Sequence, residues 1–93
     1  MNSADRLNSF LTRVTSDVAL TTTHVGVCTA LAVAWIDNGF INPFNISRSQ
    51  VMIASKIKST ATYHKIITDL IALNYLQYKP SYHPAKGSQV LIL

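Results

Sequence analysis

A mainly α-helical domain carrying one small β-hairpin is the fold class this sequence predicts, and three observations predict it. Apolar residues recur at helical spacing in segments between residues 3 and 73, and hydroxyl residues stand where the helices need caps. Residues 75–93 then change to two short β-prone runs around a loop containing Pro80, Pro84 and Gly87. A chain of 93 residues supports one hydrophobic core, so residues 1–93 are expected to form a single domain.

Leu7, Phe10, Leu11 and Val14 fall at i, i+3, i+4 and i+7, which predicts a first helix from Ser3 to Thr15 with a nearly uncharged polar face. Thr21-Thr22-Thr23 offers the cap of a second helix running to Asn38, with Gly39 placed to end it. This helix carries Val25, Val27, Cys28, Ala30, Leu31, Val33, Ala34, Trp35 and Ile36, apolar around most of its circumference, and must be covered on more than one side. Phe40 to Ile46 contains the breaker Asn42-Pro43 and reads as a linker, with Phe44-Asn45-Ile46 the only candidate for a third strand. Ser47 caps a third, short helix through Ser55, with Val51, Met52 and Ile53 expected inward, and Lys56-Ile57-Lys58 forms the turn. Ser59 caps the fourth helix, whose stripe is Tyr63, Ile66, Ile67, Leu70 and Leu73. Tyr63 belongs to that stripe, which favours a core role over a stacking one. Asn74 ends the helix, because asparagine is the residue after glycine most tolerant of a left-handed exit. Tyr75 to Tyr78 and Val90 to Leu93 are expected to pair, with Lys79 to Ser88 as the loop between them.

Short helix, turn, longer helix and a hairpin with a basic loop is the element order of a winged helix-turn-helix. Three stretches carry a closer likeness: Asn42-Pro43-Phe44-Asn45-Ile46-Ser47-Arg48, then Ser55-Lys56-Ile57-Lys58-Ser59-Thr60-Ala61-Thr62-Tyr63-His64-Lys65, and Tyr75 through Gly87-Ser88. Over these the chain resembles the small winged-helix proteins encoded by bacterial mobile elements and replicons, notably of Bacteroidetes. The N-terminal third matches only in general character, and Asn74 stands where such proteins usually carry glycine. The resemblance implies DNA binding and leaves transcription, excision and replication open.

Charge agrees from an independent direction. Residues 1–46 hold two arginines against three aspartates, a net −1, whereas residues 47–93 hold Arg48, Lys56, Lys58, Lys65, Lys79 and Lys86 against Asp69 alone, a net +5. Such an excess attracts a polyanion, with nucleic acid ahead of an anionic membrane surface. On the fourth helix, Thr62, His64 and Lys65 are the candidates for reading base edges in the major groove. Ser59 and Thr60 at its start, Arg48, Lys56 and Lys58 around the third helix, and Lys79, Tyr82, His83 and Lys86 in the hairpin loop are the candidates for the DNA backbone. For each of these the plainer reading is a helix cap or a solvated basic face.

Other classes fit less well. The chain has no glutamate, and its four aspartates form no close pair for acid–base work. Cys28 follows His24 by four residues, a possible nucleophile and base, but core packing is the simpler role. His24, His64 and His83 lack metal-ligand spacing, and no motif calls for a cofactor or a small-molecule ligand. The longest apolar stretch, Val25 to Ile36, is too short for a membrane span, the N-terminus lacks a secretory signal, and one cysteine suits a reducing compartment; a cytoplasmic location is expected. The rival within the same fold is a protein-interaction module without direct DNA readout. The apolar surface of the first two helices also predicts a homodimer through residues 1–39, which would set two reading helices about 34 Å apart on an inverted repeat.

Overall fold

Four helices and a three-stranded antiparallel sheet are present in a computed structural model that describes residues 2–81 and 87–93. The order is α1 (Ser3–Ser16), α2 (Thr22–Asp37), β1 (Phe44–Ile46), α3 (Arg48–Ala54), α4 (Thr60–Ala72), β2 (Leu76–Lys79) and β3 (Ser88–Ile92). No helix among the described residues is long and apolar enough to cross a membrane.

Each helix starts at a side chain able to satisfy an amide that the helix itself leaves unpaired. Asn2 accepts from the Asp5 amide at 2.9 Å, Ser47 from Gln50 at 3.4 Å and Ser59 from Thr62 at 3.3 Å. Thr21 and His24 form a reciprocal box at the head of α2. Helix α2 is the spine, and α1, α3 and α4 all pack on it, the multiple cover that its all-round apolar surface requires. Val27, Cys28, Leu31, Ala32 and Trp35 are buried there, while Val33 and Ile36 stay exposed. Gly39 takes φ +67° to end α2, and Phe40 follows in the same left-handed region at +62°, its ring packed edge-on against Trp35 at 5.3 Å.

Helix α1 closes one side by burying Phe10 and Val14, with Leu7 and Leu11 half-buried. Arg13 ties its C-terminal end to the exit of α4: the guanidinium lies 4.5 Å from the Tyr75 ring centre and donates to the Asn74 carbonyl at 3.1 Å. The Tyr75 hydroxyl donates to Asp17 at 2.7 Å, which, ahead of the Ala19 amide, lowers the Asp17 pKa. Burial, and then that carboxylate, push the Tyr75 phenol up to about 12. Asn74 does adopt the left-handed exit expected of it, at φ +64°.

The sheet corrects the sequence reading most. Residues 44–46 are a strand rather than a linker, and the hairpin is not two-stranded: β3 lies in the middle, antiparallel to β1 on one side and β2 on the other. Phe44 faces Val90, Ile46 faces Ser88, and Leu76 faces Ile92. Phe44, Ile46, Leu76, Val90 and Ile92 point into the core, and Asn45, Gln77 and Gln89 point out. The β1–β3 seam has two fasteners. The Asn42 side-chain amide donates to the Ile92 carbonyl and accepts from its N–H, both at 2.9 Å, as a strand backbone would. Gly87 turns at φ +66° with its Cα so close to Ile46 that a Cβ would enter the Ile46 carbonyl oxygen and stand 3.2 Å from its carbon. The strands are also shifted from expectation: β2 runs Leu76–Lys79 rather than 75–78, since Tyr75 is spent on α1, and β3 begins at Ser88 rather than Val90. Two apolar residues expected inward are outward instead, Ile53 at 71% exposure and Leu73, the C-cap of α4, at 39%.

Candidate nucleic-acid interface

The α3–α4 pair sets the geometry of the basic region. After Ser55, Lys56 turns left-handed at φ +63°, and Ile57 drops into the core with its amide bonded to the Met52 carbonyl at 2.9 Å. That buried plug fixes α3 against α4 and leaves Lys56 and Lys58 exposed on either side of it. Helix α4 buries Tyr63, Ile66, Ile67 and Leu70 against α2 and the sheet.

At about 100° per residue, the face opposite that stripe is centred on Ala61, Lys65, Thr68 and Ala72, all exposed. Thr62 and His64 are exposed too, but on opposite flanks of this face rather than side by side. The His64 ring stands edge-on to Tyr63 at 5.5 Å. Ala61 and Thr68 were missed in the sequence because neither is a conspicuous ligand; the helical wheel drawn from the buried stripe identifies them. Ser59 is engaged as the cap, and Thr60 opens the helix on the flank shared with His64.

Arg48, at the first position of α3, is exposed, and its charge reaches the Tyr63 hydroxyl. Tyr63 is fully buried, and its hydroxyl meets that of half-buried Tyr78 at 3.2 Å. Burial, then this bond, raise the Tyr63 pKa, with Arg48 opposing. The α3 start, α4 and the end of β2 therefore converge on one polar point, with Lys79 exposed next along the strand. Tyr82, His83 and Lys86 lie outside the described residues.

Lys65 is not free. Its ammonium donates to Asp69 at 2.9 Å, and the same carboxylate oxygen lies 2.8 Å from Nε2 of His24, which is 5% exposed. Nδ1 of that ring accepts the Thr21 amide at 2.9 Å, so in the neutral ring the proton sits on Nε2 and is donated to Asp69. The bonds from Lys65, then His24, lower the Asp69 pKa. His24 thus serves Thr21 and Asp69, not Cys28. Burial pushes the Cys28 thiol up to about 12, which leaves it a packing residue. Among the described residues no group of three or more His, Cys, Asp or Glu side chains is placed to hold a metal.

No family model, no curated protein and no solved structure matches the chain.

Proposed function

We propose that the chain is a winged helix-turn-helix that binds double-stranded DNA sequence-specifically, with α4 in the major groove. The observation that carries this is the exposure of Arg48, Lys56, Lys58, Lys65 and Lys79 along α3, the turn, α4 and the end of β2, with Asp69 the only acid in residues 47–93. The path α2–β1–α3–α4–β2–β3, with β3 between the other two strands, supports the winged-helix assignment. Ala61, Lys65 and Thr68 read the groove centre, where Ala61 and the Thr68 methyl suit a thymine methyl, and Thr62 and His64 reach its two walls. Arg48, Lys56, Lys58, Ser59, Thr60 and Lys79 dock the phosphates, joined by the hairpin loop with Tyr82, His83 and Lys86. Transcriptional control, or control of replication or excision of a mobile element, is the role this chemistry serves.

A second copy of the chain pairs through the N-terminal half in this reading. Val18, Val33, Ile36 and Ile41 favour it, because all four are exposed there. Sedimentation at micromolar concentration measures that, and a monomer discards it.

Fluorescence anisotropy of labelled random duplex over a salt series, followed by selection from a random pool, tests the DNA reading. Expected are binding that weakens by orders of magnitude as salt rises and a recovered motif. Absence of binding at low salt discards it in favour of a protein-interaction module.

A further inference from the structure

On the helix proposed to enter the groove, one carboxylate is pinned in place. We propose that Asp69 limits the affinity of this face for DNA by holding Lys65 away from the phosphate backbone, an inference that rests on the DNA-binding reading above. An exposed ion pair at i and i+4 is weak by itself and opens when a polyanion approaches. The Lys65–Asp69 pair differs because its acid is engaged on the other side as well. The Asp69 oxygen that accepts from Lys65 at 2.9 Å also faces Nε2 of buried His24 at 2.8 Å, and His24 is locked from behind by the Thr21 amide.

Helix stability does not account for the pair. Lysine stands nearer the N-terminus of α4 and aspartate nearer its C-terminus, the order that opposes the helix dipole. Two consequences follow for DNA. A Lys65 paired with Asp69 neutralises no phosphate, and its carboxylate adds a negative charge to the same face, felt over about 10 Å, the screening length at 0.1 M salt. Both lower affinity on every sequence alike. Base contacts from the centre of α4 then make up a larger share of total binding, while the ratio of specific to non-specific affinity is unchanged. Asp69 in this sense sets the affinity of the face without touching the DNA.

The experiment is the salt series on random duplex with Asp69→Asn, Lys65→Gln and the double variant. Asparagine keeps an acceptor for His24 while removing the charge, and a melting curve checks that it folds. Asp69→Asn is expected to bind several-fold more tightly at 0.1 M salt and to steepen the log–log salt slope by about 0.9. Lys65→Gln is expected to change the slope little in the unsubstituted protein and by about 0.9 in the Asp69→Asn background. Unchanged affinity and slope in Asp69→Asn, with the unsubstituted protein still binding, overturns this proposal alone. Failure of the unsubstituted protein to bind overturns the DNA-binding reading and this proposal with it. Should Asp69→Asn not fold, Lys65→Gln decides by itself, since Lys65 is 71% exposed: a full loss of about 0.9 in slope means that Lys65 was already on a phosphate.

Discussion

Gly87→Ala tests the seam on which the sheet depends. Two costs add. A Cβ at φ +66° brings the left-handed penalty of about 1–2 kcal/mol. The new methyl also runs into the Ile46 carbonyl, a backbone group that no rotamer change can move. Strand β1 must therefore back away from β3, giving up at least one ladder hydrogen bond at about 0.5–1.5 kcal/mol and opening Ile46, now 5% exposed, to water. Together these predict a loss of about 2–4 kcal/mol. For a domain of this size the midpoint of thermal unfolding should fall by roughly 10–25 °C. Trp35 is the only tryptophan and is 1% exposed, so its fluorescence follows urea unfolding without a label. Gly87→Asn separates the two costs: asparagine tolerates the dihedral but still carries a Cβ, and it should lose about half as much. A loss below about 0.5 kcal/mol for Gly87→Ala would refute the close approach to Ile46.

Three further predictions concern charge, strain and the thiol. Asp17 and Asp69 have pKa values below their unfolded value of 3.8, so the stability they supply is complete above that value and is lost as pH falls through their folded pKa values. Melting temperature should drop below pH 4, and Asp17→Asn with Asp69→Asn should flatten that drop; an unaltered acid limb would contradict the two side-chain bonds. Lys56→Gly should stabilise the fold by about 1 kcal/mol by relieving φ +63°, yet weaken DNA binding, so a variant more stable and equally tight removes Lys56 from the interface. Cys28 should resist a thiol reagent in the native protein at pH 8 and react only on unfolding, because its thiol is buried and pushed up to about 12; prompt native labelling would disprove that burial.

Much of the helical part was legible, for local reasons. The caps Thr21, Ser47 and Ser59 and the exit at Asn74 each act through their own neighbours, so a single sequence displays them. The sheet was harder. Phe44-Asn45-Ile46 is too short for alternation to be told from chance, and the start of β3 is hidden because Gln89 belongs on its outer side and Ser88, on the inner side at the strand's edge, is polar as well. Ile53 misled because α3, at seven residues, has too few turns to define its buried face. At the candidate site, residue types marked the basic region, but Asp69 and His24 are 45 positions apart, and only the packing of α4 on α2 brings them together. The restraint on Lys65 was therefore invisible, as was the centring of the outward face on Ala61 and Thr68.

The place of β3 has a consequence for biosynthesis. It is translated after both strands it joins, and β1 and β2 do not pair with each other. A nascent chain that has released everything up to Lys79 therefore holds two unmatched strand edges and can complete neither. Closing the sheet requires residues 88–92 to return across more than forty positions of chain to reach Phe44 and Asn42. Closure of the sheet should then wait for that strand to emerge, and a chain stalled before it does would be the species that chaperones and proteases meet.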